Sequence, residues 1–111
     1  MAAIRRGEVW WVAFDPAVGG EIQKARPAVI VSNNAANTVL NRVIAVPLTS
    51  QIAKVYPGEA MVTLNGEPRK AMADQLTTAS KKRMRSKLGE LSVSDVAAVE
   101  KAILLQLGIR R

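Results

Sequence analysis

The hydrophobic period of this chain changes once, at Ser92, and that change narrows the folds open to it. Ahead of Ser92 the apolar residues fall in short runs broken by turn residues: Glu8–Phe14, Pro27–Ser32, Arg42–Leu48, Glu59–Leu64 and Arg69–Leu76. Beyond it, Val96, Val99, Ile103 and Leu107 recur at helical spacing. Ser92-x-x-Asp95 has the form of a capping box with Asp in place of Glu, and Gly108 supplies a stop. The pattern predicts about five strands followed by one amphipathic C-terminal helix.

Glu8–Phe14 places Val9, Trp11 and Ala13 on one face and Trp10, Val12 and Phe14 on the other. Both faces are apolar, so this strand is expected to be covered on both sides, with its tryptophans in the core, the less favoured reading being that they stack nucleic-acid bases. Asp15-Pro16 and Gly19-Gly20 open a flexible loop reaching to about Ala25, and Gln51–Gly58 reads as a second mobile loop. Asn33–Asn41 suggests one irregular helical turn. Pro47 cannot donate to a ladder and is expected to end the third strand or mark a bulge. Asn65-Gly66 is a hairpin signal. The stretch Thr77–Leu91 reads as irregular and basic. Short connections favour antiparallel pairing, hence a compact, SH3-like small twisted barrel with the helix packed on it, a single domain over residues 1–111.

A net charge of +7 points to a polyanionic partner. Residues 1–68 carry six Lys/Arg against five Asp/Glu, whereas residues 69–111 carry ten against four. Lys81, Lys82, Arg83, Arg85 and Lys87 are the densest run, open to two readings: a solvated loop or a patch that tracks phosphates. The N-terminus lacks the apolar core of a signal peptide, and no apolar run reaches the ~18 residues of a membrane span. A soluble, cytoplasmic protein is expected.

With His 0 and Cys 0, nucleophilic triads that use either residue are ruled out, as is a His-ligated zinc site. The nine carboxylates are scattered along the chain, and there is no Gly-rich phosphate loop. An enzyme of this composition is expected to work without metal or cofactor. RNA cleavage suits such an inventory, because the ribose 2′-OH is the nucleophile and the protein need only orient it, neutralise the phosphorane and help the 5′-oxygen leave. Arginine matches two phosphate oxygens with one fork, and hydroxyls at a strand end add oriented donors. Arg26 with Thr49 and Ser50 can supply that site if their strands are neighbours.

Several segments, in order along the chain, resemble the MazF/PemK family: Arg5-Arg6-Gly7-Glu8-Val9-Trp10-Trp11-Val12, Gly20-Glu21-Ile22-x-x-x-Arg26-Pro27-Ala28-Val29-Ile30-Val31-Ser32, Pro47-Leu48-Thr49-Ser50 and Ala73-Asp74-Gln75. The resemblance implies the small barrel of the MazF and CcdB toxins, a homodimer, and sequence-specific cleavage of single-stranded RNA without metal, leaving 2′,3′-cyclic phosphate and 5′-OH ends. It also implies a cognate acidic antitoxin as partner. Carried onto this chain, Arg26 and Thr49 are the catalytic pair. Glu21 is the candidate base with Asp74 as runner-up, and Ser50, Lys24, Asp74, Gln75 and Gly20 are candidate RNA contacts. Many members continue Asp-Gln with Ile-Arg-Thr; here Leu76-Thr77-Thr78 follows, so a second arginine near the site is expected to be absent. Two other readings are a gyrase poison of the CcdB kind, disfavoured because Leu107-Gly108-Ile109 lacks the tryptophan that such activity uses, and a basic nucleic-acid-binding module that cuts nothing.

Overall fold

The computed structural model describes residues 3–14 and 25–110. Seven strands and two helices follow one another as β1 (Glu8–Ala13), β2 (Ala25–Ile30), α1 (Asn34–Val39), β3 (Arg42–Thr49), β4 (Glu59–Leu64), β5 (Glu67–Met72), β6 (Thr77–Ser80), β7 (Met84–Glu90) and α2 (Val93–Leu107). Short 3-10 turns cover Ala73–Gln75 and Lys81–Arg83. The strands form one curled antiparallel sheet in the order β4-β5-β3-β2-β1-β7, with β6 also paired to β3. The curl brings the two outer strands together, and the Asn65 side-chain amide donates to the Leu88 carbonyl at 2.9 Å. The expected class, mainly β with a closing helix, is the one found.

The strand count differs from the expectation of five. Thr77–Leu91 is not irregular, because it holds β6 and β7. Its sequence hides this for a physical reason. β7 is an edge strand, and its pairing with β1 slips between Val9 and Trp10 and again between Trp11 and Val12. A bulged edge strand keeps no clean two-residue period and tolerates basic side chains. Likewise β5 stops at Met72 and does not run to Leu76.

The β5–β6 break is informative. Leu48 faces Ala71 and Thr49 faces Lys70, a register that would put Ala45 opposite residue 74, yet Ala45 faces Thr77. Three residues, Ala73–Gln75, are therefore extruded as a 3-10 turn while β5 and β6 share one edge of β3. Pro47 sits at this break. The Ile44 carbonyl accepts from the Val31 N–H at 2.9 Å, so alternation turns the Pro47 nitrogen to the opposite edge, facing the end of β5. A missing donor costs little there, which is why β3 continues through Pro47 to Thr49 instead of ending at it.

Asn33–Asn41 forms a defined short helix. Asn33 caps it by accepting from the Ala36 N–H at 2.8 Å, and the buried Asn37 amide donates to the Ser32 carbonyl at 2.8 Å. Ser32 hydrogen-bonds to Asn37 and accepts from the Ile44 N–H at 3.0 Å, which fastens the turn to β3.

The sheet buries apolar residues on both faces. One cluster joins Val9, Val29, Val46 and Leu48 to Val62 and Leu64 of β4, with Val99 and Ala102 of α2 above them. The other gathers Trp10, Val12, Ala28, Ile30, Val43, Ala45 and Ala79. Double coverage of β1 is thus observed, except at Trp11, which is 39% exposed and does not join the core as expected. In α2 the Ser92 hydroxyl accepts from the Asp95 N–H at 3.1 Å, while Asp95 accepts from the Thr63 N–H at 2.9 Å and ties the helix start to β4. Gly108 ends the helix in the left-handed region at φ 71. Leu107 follows the helical period but is exposed, because the packed part of the stripe ends at Ile103.

A buried carboxylate holds β1 to β7. Glu8 accepts from the Arg5 backbone N–H at 2.9 Å and the Trp10 indole N–H at 3.0 Å, and it pairs with the Lys87 ammonium at 3.0 Å. Burial pushes its pKa up, but those hydrogen bonds and the ammonium outweigh that effect and hold the carboxyl below its ordinary range. A depressed carboxyl pKa stabilises the fold above its unfolded value, and that stability is lost as pH falls. The wild type should therefore lose stability as pH drops through about 4.3 and on through the lower folded value. Glu8→Gln should cost about 2 kcal/mol at neutral pH and flatten the acid limb. Urea midpoints measured from pH 7 to 3 check this; parallel curves for the two proteins would refute the assignment.

Candidate functional site

Strand register brings the candidate residues to one rim of the sheet. Val12 faces Arg26 and Ala13 faces Ala25 across β1 and β2. Ala28 faces Pro47 across β2 and β3, and the same register carried two residues further sets Arg26 opposite Thr49. Thr49 in turn faces Lys70, and one step on, Ser50 is set opposite Arg69. Ala25, Arg26, Pro27, Leu48, Thr49, Ser50 and Arg69 line an open cleft of about 490 Å³.

Each side chain is presented by a local feature. Pro27 fixes its own φ and confines the residue before it to extended backbone, so Arg26 enters β2 in a fixed direction. Arg26 is half-buried, and among the described residues no carboxylate pairs with it. Thr49 ends β3, and its hydroxyl oxygen accepts from the Gln51 N–H at 3.2 Å. The hydroxyl thus caps the strand end, and its proton can still be donated into the cleft. Ser50 is exposed immediately beyond the strand.

Arg69 is the residue that sequence reasoning missed. No second arginine was expected near the site, yet Arg69 forms part of the cleft wall. Its guanidinium donates to the Pro68 carbonyl at 2.9 Å and lies 3.5 Å from the Glu67 carboxylate. The Asn65-Gly66 turn, with φ 51 and 82, fixes Arg69 opposite Val62 within the hairpin. It carries no information on which strand lies along the other edge of β5.

Of the other candidates, Asp74 and Gln75 do not line this cleft. They sit exposed in the extruded turn beside α2, where the Gln75 amide reaches the Met72 sulfur at 3.6 Å. Glu21, Lys24 and Gly20, with most of the Asp15–Ala25 loop, lie outside the described residues. The basic run is not an unstructured loop. Lys81–Arg83 form a 3-10 turn, Arg85 donates to the Lys82 carbonyl at 2.9 Å, and Arg83 donates to the Ala13 carbonyl at 3.3 Å, at the rim where β1 ends.

The sequence between residues 5 and 107 matches a family described as the PemK-like, MazF-like toxin of type II toxin–antitoxin systems. The chain is 36% identical to endoribonuclease MazF9 of Mycobacterium tuberculosis over 115 residues, covering 96% of this chain and 98% of that protein. An endoribonuclease from a mycobacterial species, solved with its cognate antitoxin, aligns with TM-score 0.81 at 27% identity, over 98% of this chain and 99% of that one. MazF from Deinococcus radiodurans aligns with TM-score 0.82 at 29% identity, over 98% of this chain and 100% of that one.

One wall of the site depends on a buried ion pair. Lys70, the partner of Thr49, holds Glu59 at 3.2 Å and donates to the Lys54 carbonyl at 3.0 Å, with side chains 11% and 12% exposed. Glu59 also accepts from the Tyr56 N–H at 2.8 Å, so the second half of the Gln51–Gly58 segment, expected to be mobile, is tied to β4 and β5. Lys70→Met leaves Glu59 buried and unpaired and should cost about 3 kcal/mol. Lys70→Met combined with Glu59→Leu should recover most of that. Urea denaturation of the three proteins decides it, and a single variant as stable as the wild type would contradict the role given to the pair.

Proposed function

Since this chain belongs to the MazF/PemK family of type II toxins, we propose that it is an endoribonuclease toxin that cuts single-stranded messenger RNA at a short sequence without metal. The observation that carries this reading is the meeting of Arg26, Thr49 and Ser50 in one open cleft. A forked permanent cation beside two hydroxyls suits a phosphodiester, and the cleft is reached from the sheet rim, where an extended strand can lie.

In the proposed reaction the ribose 2′-oxygen attacks phosphorus as its proton leaves for a base. The new O–P bond gives a 2′,3′-cyclic phosphate, and the bond to the 5′-oxygen breaks. Arg26 neutralises the charge that builds on the phosphorane and hydrogen-bonds the departing 5′-oxygen, which takes up a proton from water. Thr49 donates its hydroxyl proton to a non-bridging oxygen, and Ser50 assists it. Arginine is too weak an acid to exist neutral and act as the base, so that role falls to Glu21. Asp74 and Gln75 both lie outside the described lining of the cleft; with Gly20 and Lys24 they are kept as proposed RNA contacts.

The partners proposed are RNA, a second copy of this chain and an acidic antitoxin, whose extended segment competes with RNA for the same basic surface. A net charge of +7 supports both anionic partners. Action on messenger RNA sets the site of activity in the cytoplasm, and among the described residues no helix is long and apolar enough to cross a membrane. Gyrase poisoning is not favoured, because Leu107-Gly108-Ile109 carries no tryptophan.

Incubating the protein with a long single-stranded RNA in EDTA and mapping the new ends tests the whole reading. Discrete cuts with 5′-OH ends are expected, and Arg26→Ala should slow them by about 100-fold or more while the protein stays folded. Undiminished cutting by Arg26→Ala would remove the mechanism, and no cutting by the wild type would remove the activity.

A further inference from the structure

The cleft contains two arginine–hydroxyl pairs. Arg26 is set opposite Thr49, and one row further along the strands Arg69 is set opposite Ser50. β2 and β5 flank β3, so the two arginines enter from opposite walls whose backbones lie about 10 Å apart, two strand spacings. A cavity of about 490 Å³ is too large for one phosphate group alone. We infer that Arg69 binds the RNA phosphate next to the one that Arg26 and Thr49 hold, as a positioning residue for the cut; this rests on the ribonuclease reading of the cleft.

The present partners of Arg69 fit that role. Glu67, 3.5 Å away, is largely exposed, with 69% of its side chain open to solvent. Such a pair is held weakly and exchanges readily for a phosphate that takes both prongs of the guanidinium. Lys70 cannot substitute, because its ammonium is committed to Glu59 and the Lys54 carbonyl. Glu67 thus acts as an exposed internal competitor for the subsite.

The test separates binding from cutting. Affinity is read by fluorescence anisotropy with a 12-nucleotide 2′-O-methyl single strand of mixed sequence, which cannot be cleaved by 2′-attack. Cutting is read with the matching RNA in EDTA, as KM and as kcat at saturation. Arg69→Ala should weaken binding by about 10-fold. It should also reduce the slope of log affinity against log salt by about 0.7, one phosphate contact on a single strand. KM should rise and kcat stay within about twofold of wild type. Arg69→Lys should restore the salt slope and part of the affinity, and Glu67→Gln should tighten binding by about two- to threefold.

Unchanged affinity and salt slope in Arg69→Ala would overturn the proposal. So would a fall in kcat matching that of Arg26→Ala, because Arg69 would then act at the scissile phosphate itself. If the wild type cuts nothing while Arg69→Ala still loses affinity and salt slope, the ribonuclease reading fails and the phosphate contact stands.

Discussion

Strand β3 is shared by three others, and the site exists because of how they share it. β2 runs along one edge, while β6 and then β5 take the other, with three residues pushed out between them. That extrusion resets the register so that the end of β3 lies between Arg26 on one wall and Arg69 on the other. An uninterrupted β5–β6 strand would place different residues opposite Thr49 and Ser50, since each register step turns side chains to the other face. Pro47 occupies the place in β3 where the break asks for no ladder donor, so its backbone chemistry and the topology agree.

Charge is distributed around this rim in two ways. Glu8 with Lys87, and Glu59 with Lys70, are spent on structure: each ties neighbouring strands, and each carboxylate is partnered where it is buried. Arg26, Arg69 and the Lys81–Arg83 turn lie on or near the open rim, where the carboxylate partner of Arg69 is largely exposed. Positive charge in the C-terminal half is therefore partly scaffold and partly surface, a division that net charge alone does not express.

Much of this was legible in residue order. The period change at Ser92, the Asn65-Gly66 turn, the two-faced β1 segment and the Arg26-Pro27 strand start all describe local geometry, and each appears in the structure. Three features were not legible. β7 is bulged and basic, so its strand character depends on β1 lying beside it. Trp11 has the same apolar neighbours along the chain as Trp10, yet it is left open while Trp10 is packed. The expected tie between Asp74 and the site did not account for an extruded turn that carries it toward α2.

By itself the sequence determined the kind of elements, their order and the chemistry available: a protein without histidine or cysteine whose polar tools at strand ends are arginines and hydroxyls. Propensity, capping and turn conformation depend on a few adjacent residues, so they can be read without the fold. Only the tertiary structure decided that Arg69 joins Arg26 while Lys70, its immediate neighbour, is sequestered by Glu59. Lys70 lies in register with Thr49 while Arg69 stands one row further toward the open end of the strands, and that placement depends on a pairing across about twenty residues of chain.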